Sequence, residues 1–209
     1  MPGMKSNQEI TGTYNPRVSF WHNFPEIGIK KWIIIASIIF IIGLLVGIFT
    51  PGYELFASTD YLEDLSETLG PLSSFGLFIV ILIKNIFALL LCFIFSPFLC
   101  ILPVFSLFIN GWLISFVGNI ISQEESLAYY LVGILPHGIV EIPALIIGQA
   151  AALSLGTMTI AAIFSKEKRE ALFANLRGNL KYLGIVILLL VVAAIIEAFI
   201  TPLALGLFD

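Results

Sequence analysis

The sequence predicts an all-α fold, a polytopic membrane helical bundle of about five spans with one proline-broken or re-entrant element. Three observations carry this. Of the 209 residues, 59% are hydrophobic and 11% charged, whereas a soluble domain carries about 25% charged residues; mean hydropathy is +1.04. The apolar residues gather into blocks long enough to cross a bilayer. Nine of the ten Lys and Arg residues fall in two short segments beside those blocks.

The first block is 33–50, "IIIASIIFIIGLLVGIFT", closed by Pro51 and Gly52. It is too long for a secretory h-region and no small-x-small cleavage site follows it, so it is expected to be a retained first helix. Gly43 and Gly47 within it match a small-xxx-small contact face. The stretch 75–118 would reach roughly 66 Å as one helix, which is two spans. Pro97 is the expected structural break between them, because proline removes a helical hydrogen bond and biases Ser96 away from the α region. The last block covers 182–201 and ends at Thr201-Pro202.

Charge orients the blocks. Lys5, Arg17, Lys30 and Lys31 precede the first, and Lys166, Lys168, Arg169, Arg177 and Lys181 precede the last. The connections 51–73 and 119–126 hold only acids: Glu54, Asp60, Glu63, Asp64, Glu67, Glu124 and Glu125. The positive-inside rule then places the N-terminus and 166–181 in the cytoplasm and both acidic connections and the C-terminus outside, in a multi-pass cell-membrane protein. Two regions follow: 1–32, a cytoplasmic N-terminal segment with an interfacial helix around Phe20, Trp21 and Phe24, and 33–209, the transmembrane bundle. Segment 166–181, with Leu172, Phe173, Leu176 and Leu180 at helical spacing, is expected to lie as an interfacial elbow on anionic lipid.

Block 127–165 would be roughly 58 Å long as one helix, nearly twice the hydrocarbon thickness. Two full spans there would carry the basic segment to the outer face. One net crossing with a break at Pro136 and Pro143 meets both constraints, although a helix kinked at Pro143 and overhanging the bilayer would meet them too. Such broken elements line binding sites in transporters.

Few ionisable groups remain inside the apolar blocks: Lys84, His137, Glu141 and Glu197, with Asn85 and Asn110 as neutral companions. These six are the candidate ion- or solute-binding residues, since intramembrane charge is costly and points to function. Lys84 lies too deep for its stem, about 6 Å, to reach water, so it is expected to pair with Glu141 or Glu197, leaving the other acid to His137. His137 and Glu141 stand one helical turn apart and are also the candidate metal ligands, with zinc the divalent metal considered, although a closed zinc site wants four ligands. Packing roles stand beside each reading: a Lys–Glu lock between helices, and interhelical hydrogen bonds from the asparagines. Cys92 and Cys100 lie far from other metal-ligating residues and are expected to be reduced, buried thiols.

Other classes are disfavoured. Net charge is −4 with no basic run in an extended soluble segment, which excludes nucleic acid as a partner. There is no H-E-x-x-H, G-x-S-x-G or phosphate loop, so the chain is expected not to be an enzyme, and an intramembrane hydrolase ranks last.

The stretch "LPHGIVEIPALIIGQAAALSLG" (135–156) resembles the signature of the stage II sporulation protein M family, supported by "KNIFALLLCFIFS" (84–96), "NGWLISFV" (110–117) and "IIEAFITP" (195–202). The resemblance implies a multi-pass α-helical membrane protein. In spore formers the sporulation member works with cell-wall-degrading partners during engulfment. His137, Glu141 and Pro143 match the motif, with Asn85, Asn110 and Glu197 in its supporting parts. Two functions are therefore weighed: binding or transport of an ion or small solute at a polar midplane site, and a non-catalytic assembly or scaffold role. The partners expected are the lipid bilayer, a second copy in a homo-oligomer, and a membrane or extracytoplasmic protein.

Overall fold

A computed structural model describes residues 28–51 and 72–207. The expectations for the interfacial residues Phe20, Trp21 and Phe24, and for the acids between 52 and 71, lie outside the described residues. Five long helices follow in order: α1 (Ile29–Phe49), α2 (Ser74–Phe95), α3 (Ile101–Glu124), α4 (Leu127–Phe164) and α5 (Lys166–Ile195). A π-wound turn (Ile196–Ile200) and a short α6 (Thr201–Leu205) extend α5. All five long helices are long and apolar enough to cross a membrane, and no strand occurs among the described residues. The all-α bundle of five spans is as the sequence predicts.

Local sequence sets most of the helix ends. Ser73, Ser126 and Ser165 cap α2, α4 and α5, each hydroxyl accepting a backbone N–H three residues on, the preferred chemistry at a helix start. Pro97 separates α2 from α3 as expected, but Ser96 is not displaced from the α region: it keeps φ −54 and ψ −31, and the chain leaves the helix at Leu99 and Cys100 instead. The tight turn there holds Leu99 and Cys100 at φ 57, a left-handed conformation uncommon for residues with a side chain. Tertiary packing holds it: Ser96 is fully buried and the Cys100 thiol lies 3.8 Å from the Leu153 carbonyl. A Cβ on Gly156 of α4 would stand 2.3 Å from the Ser96 carbonyl oxygen, so only glycine lets this turn seat on α4.

Helices α1 and α3 run parallel at backbone contact. A Cβ on Gly43 would lie 2.2 Å from the Phe108 carbonyl oxygen, one on Gly47 2.3 Å from that of Trp112, and one on Gly111 2.2 Å from that of Phe40. The small-xxx-small pair is thus an intrachain seam completed by Gly111. Polar groups fasten its upper end: Trp112 Nε1 donates to Thr50 Oγ1 at 3.0 Å, and Asn119 Nδ2 donates to the carbonyls of Gly47 and Ile48 at 3.3 and 3.0 Å. Those carbonyls are among the orphans at the end of α1. Helix α3 continues past Asn119 to Glu124, so most of the 119–126 connection expected as a loop is helix.

Helix α4 touches each of the other four. Every residue from Gly148 to Gly156 is buried, and the small side chains of this run admit neighbours on all sides. The proline-broken element is corrected here: α4 is one 38-residue helix running through Pro136 and Pro143. Energetics in lipid explain it. A break strands about four N–H and four C=O groups at the new ends, whereas each proline within a continuous helix withdraws one donor. At roughly 57 Å the helix overhangs the hydrocarbon.

Residues 166–181 fill the overhang. They form the first half of α5, an antiparallel partner to α4, instead of a separate interfacial elbow. Leu172 and Leu176 of the amphipathic stripe pack on the core containing Ala151, Ala152 and Leu155, while Phe173 and Leu180 stay exposed. The stripe meets a protein surface that the sequence alone does not reveal.

Candidate intramembrane polar site

The four candidate residues His137, Glu141, Asn85 and Glu197 come together where α2, α4 and the end of α5 meet. One helical turn separates His137 from Glu141 on α4, so both address the same side. Asn85 of α2 donates from Nδ2 to Glu141 Oε1 at 3.3 Å. His137 Nδ1 contacts Glu197 Oε2, an electrostatic contact and not an aligned hydrogen bond. The π-wound turn that carries Glu197 adds a residue to the local repeat, and such turns recur at functional sites. Thr201 Oγ1 donates to Glu197 Oε2 at 3.0 Å, orienting the same carboxylate oxygen from the following turn. The His137 and Glu197 side chains are 17% and 30% exposed. The pair is therefore neither sealed in the core nor open to full solvent.

Two candidates stand apart. Lys84, next to Asn85 in sequence, lies on the exposed outer face of α2, and among the described residues it makes no ion pair. The expected Lys84 ion pair with Glu141 or Glu197 does not form among the described residues: Lys84 is turned about 100° from Asn85 around α2 and interacts with Glu141 only at longer electrostatic range. Asn110 belongs to a second polar cluster. Its Nδ2 donates to the Ser106 carbonyl at 2.7 Å, and Gln149 Nε2 of α4 donates to Ser106 Oγ at 3.1 Å. Gln149 is 1% exposed, and among the described residues its Oε1 has no hydrogen-bond partner.

A third cluster ties the α4–α5 hairpin. Asn175 and Asn179, four residues apart on α5, both donate to Ser154 Oγ at 3.2 and 3.3 Å, and Asn179 also donates to Asn175 Oδ1 at 2.9 Å. Sequence reasoning missed Gln149, Ser106, Ser154, Asn175, Asn179 and Thr201. The signal was available for Gln149, a large polar side chain inside a run of small residues. Hydroxyls and amides carry no formal charge, so a search for ionisable groups passes over them.

The pair expected as metal ligands is divided: His137 turns to Glu197 and Glu141 to Asn85. Among the described residues no group of three or more His, Cys, Asp or Glu converges closely enough to share a metal ion. The donor set falls short of the four ligands of a closed zinc site. Cys92 and Cys100 are buried free thiols, as expected.

The bundle and its intramembrane polar residues define the class: a multi-pass, α-helical integral membrane protein. A model of the family described as stage II sporulation protein M matches residues 36–202, and the chain belongs to that family. It is also similar to two proteins of Methanocaldococcus jannaschii, both described as uncharacterized. One is 33% identical over 98 residues, covering 46% of this chain and 55% of the relative. The other is 36% identical over 107 residues, covering 48% of each. The chain thus spans about half the length of the curated relatives it matches. No solved structure matches it.

Proposed function

We propose that the His137–Glu141–Glu197 site binds a proton or small monovalent cation within the membrane. The observation that carries this reading is the stoichiometry of the site: two carboxylates face one imidazole, on α4 and the π-wound turn, in the apolar zone. Intramembrane carboxylates are expensive unless neutralised. With His137 charged, one carboxylate is compensated and the second still calls for a cation or a proton. Asn85 orients Glu141, Thr201 orients Glu197, and the His137 imidazole is a group that can hold or release a proton. The overhanging basic end, with Lys30, Lys31, Lys166, Lys168 and Arg169, is placed in the cytoplasm by the positive-inside rule.

Purified protein in liposomes with an entrapped pH- or cation-sensitive dye tests this. The wild type is expected to dissipate an imposed proton, sodium or potassium gradient, and Glu141→Gln and Glu197→Gln to slow it about tenfold or more. Wild-type rates equal to those of protein-free liposomes, with no cation-dependent change in thermal stability, would refute the proposal.

A second reading is favoured by a different observation. Lys84 faces outward at mid-helix, where a scaffold that gathers other membrane proteins would present a contact. This non-catalytic assembly role is the one the family's sporulation member suggests.

A further inference from the structure

We infer that a groove between α1 and the start of α3 holds one hydrocarbon chain of an anionic phospholipid, with its headgroup at Lys31. The groove has a volume of about 520 Å³ and is lined by Ile39 and Ile42 of α1 with Leu99, Ile101, Val104 and Phe105. Leu99, Ile101 and Phe105 are 73%, 59% and 60% exposed. Cys100, also on its wall, turns its thiol to the Leu153 carbonyl, so the surface offered is hydrocarbon. The lining runs from Leu99 to Phe108, about 14 Å at the rise of a helix. One leaflet, half of a hydrocarbon core about 30 Å thick, has nearly that depth. The groove is separate from the His137–Glu141–Glu197 cluster, which α2, α4 and the end of α5 form.

Charge and shape select the occupant. The approach of Gly43 to Phe108 and of Gly111 to Phe40 sets a register in which Lys31 stands level with the Leu99–Cys100 turn, at the end of the groove. Lys31, Ile35, Ile38 and Ile42 recur at i, i+4, i+7 and i+11, one stripe of α1. Lys31 is exposed at the head of that stripe, and α1 carries no acid to offset it. An ammonium at a membrane boundary attracts anionic headgroups. A second helix fits the groove less well. It is about 10 Å wide and packs in lipid through small residues, and Gly43, Gly47 and Gly111 are already engaged between α1 and α3. A phospholipid brings a thin flexible chain and a phosphate together.

The test uses the purified full chain in phosphatidylcholine vesicles at low ionic strength. A small share of either phosphatidylglycerol or phosphatidylcholine carries a diazirine in its hydrocarbon chain, and mass spectrometry maps the residues labelled on illumination. The phosphatidylglycerol probe is expected to label Ile39, Ile42 and 99–108 about fivefold more than the phosphatidylcholine probe, the effect of one lysine at the surface. Lys31→Gln should abolish that preference and Lys31→Arg should keep it. Lys30→Gln should leave it unchanged, because Lys30 is turned about 100° from Lys31 around α1. Val104→Trp should fill the groove and remove the labelling of Ile39 and Ile42 by both probes. Equal labelling by the two probes, or an equal loss with Lys30→Gln and Lys31→Gln, would overturn the inference. So would labelling of the groove no stronger than that of the remaining apolar surface. Energy transfer between two differently labelled copies of the chain, abolished by Val104→Trp, would make a second copy the occupant and overturn it as well.

Discussion

Replacing Gly111 by Ala should loosen the bundle more than any other single methyl addition in α3. The new Cβ would lie 2.2 Å from the Phe40 carbonyl oxygen and 3.0 Å from the Leu44 nitrogen. Ordinary contact needs about 3.5 Å, so α1 and α3 must separate by about 1 Å. The obstacle is backbone, which cannot rotate away as a side chain can. Overpacking of this kind costs about 1–3 kcal/mol, and the upper end applies against backbone. Separation also stretches the bond from Trp112 to Thr50 and those from Asn119 to Gly47 and Ile48, adding about 1 kcal/mol. Alanine returns about 1 kcal/mol through its helix propensity. The net loss is about 2–3 kcal/mol. Gly184 of α5 is the control, because a Cβ there meets nothing within 4 Å, and Gly184→Ala should be neutral or stabilise by up to about 1 kcal/mol. Unfolding by SDS titration from mixed micelles, followed by tryptophan fluorescence, measures both. If Gly111→Ala and Gly184→Ala shift the midpoint alike, the α1–α3 seam is not the close contact described here.

Other outcomes follow from the polar groups. Glu197→Gln leaves His137 without its carboxylate and should cost about 1–3 kcal/mol, below the fully buried range because the site is partly exposed; a double-mutant cycle with His137→Leu should show coupling of at least about 0.5 kcal/mol. Lys84→Met should leave the isolated protein as stable or more so, and combined with Glu141→Gln it should be additive within about 0.5 kcal/mol; stronger coupling would mean that the two groups pair after all. Asn179→Ala removes two donated bonds at a buried residue and should destabilise by about 1–2 kcal/mol, read by the same titration. For orientation, a cysteine placed at Lys166 should react with an impermeant maleimide only after permeabilisation of whole cells, and one at Glu125 without it; the reverse pattern would invert the assignment.

The sequence by itself determined the class, the count of spans and the turn at Pro97. Blocks of apolar residues as long as a bilayer is thick have few alternatives to helices in lipid, where every backbone group must bond within its own segment. Pro97 marked the α2–α3 turn because proline interrupts a helix, and His137, Glu141 and Glu197 drew notice as charges in an apolar setting. Only the tertiary structure decided what those residues touch. Whether Pro136 and Pro143 break α4 depends on the cost of stranding backbone groups against the packing around Gly148–Gly156, which local sequence does not hold. The stripe of 166–181 fits lipid or protein equally well until α4 is seen beside it. Lys84 and Asn85 adjoin in sequence, yet the 100° turn per residue sends one to Glu141 and the other to the outer face. Pairing depends on which helix faces lie together, and that is settled by contacts such as the glycine seam of α1 and α3, made between residues far apart in sequence.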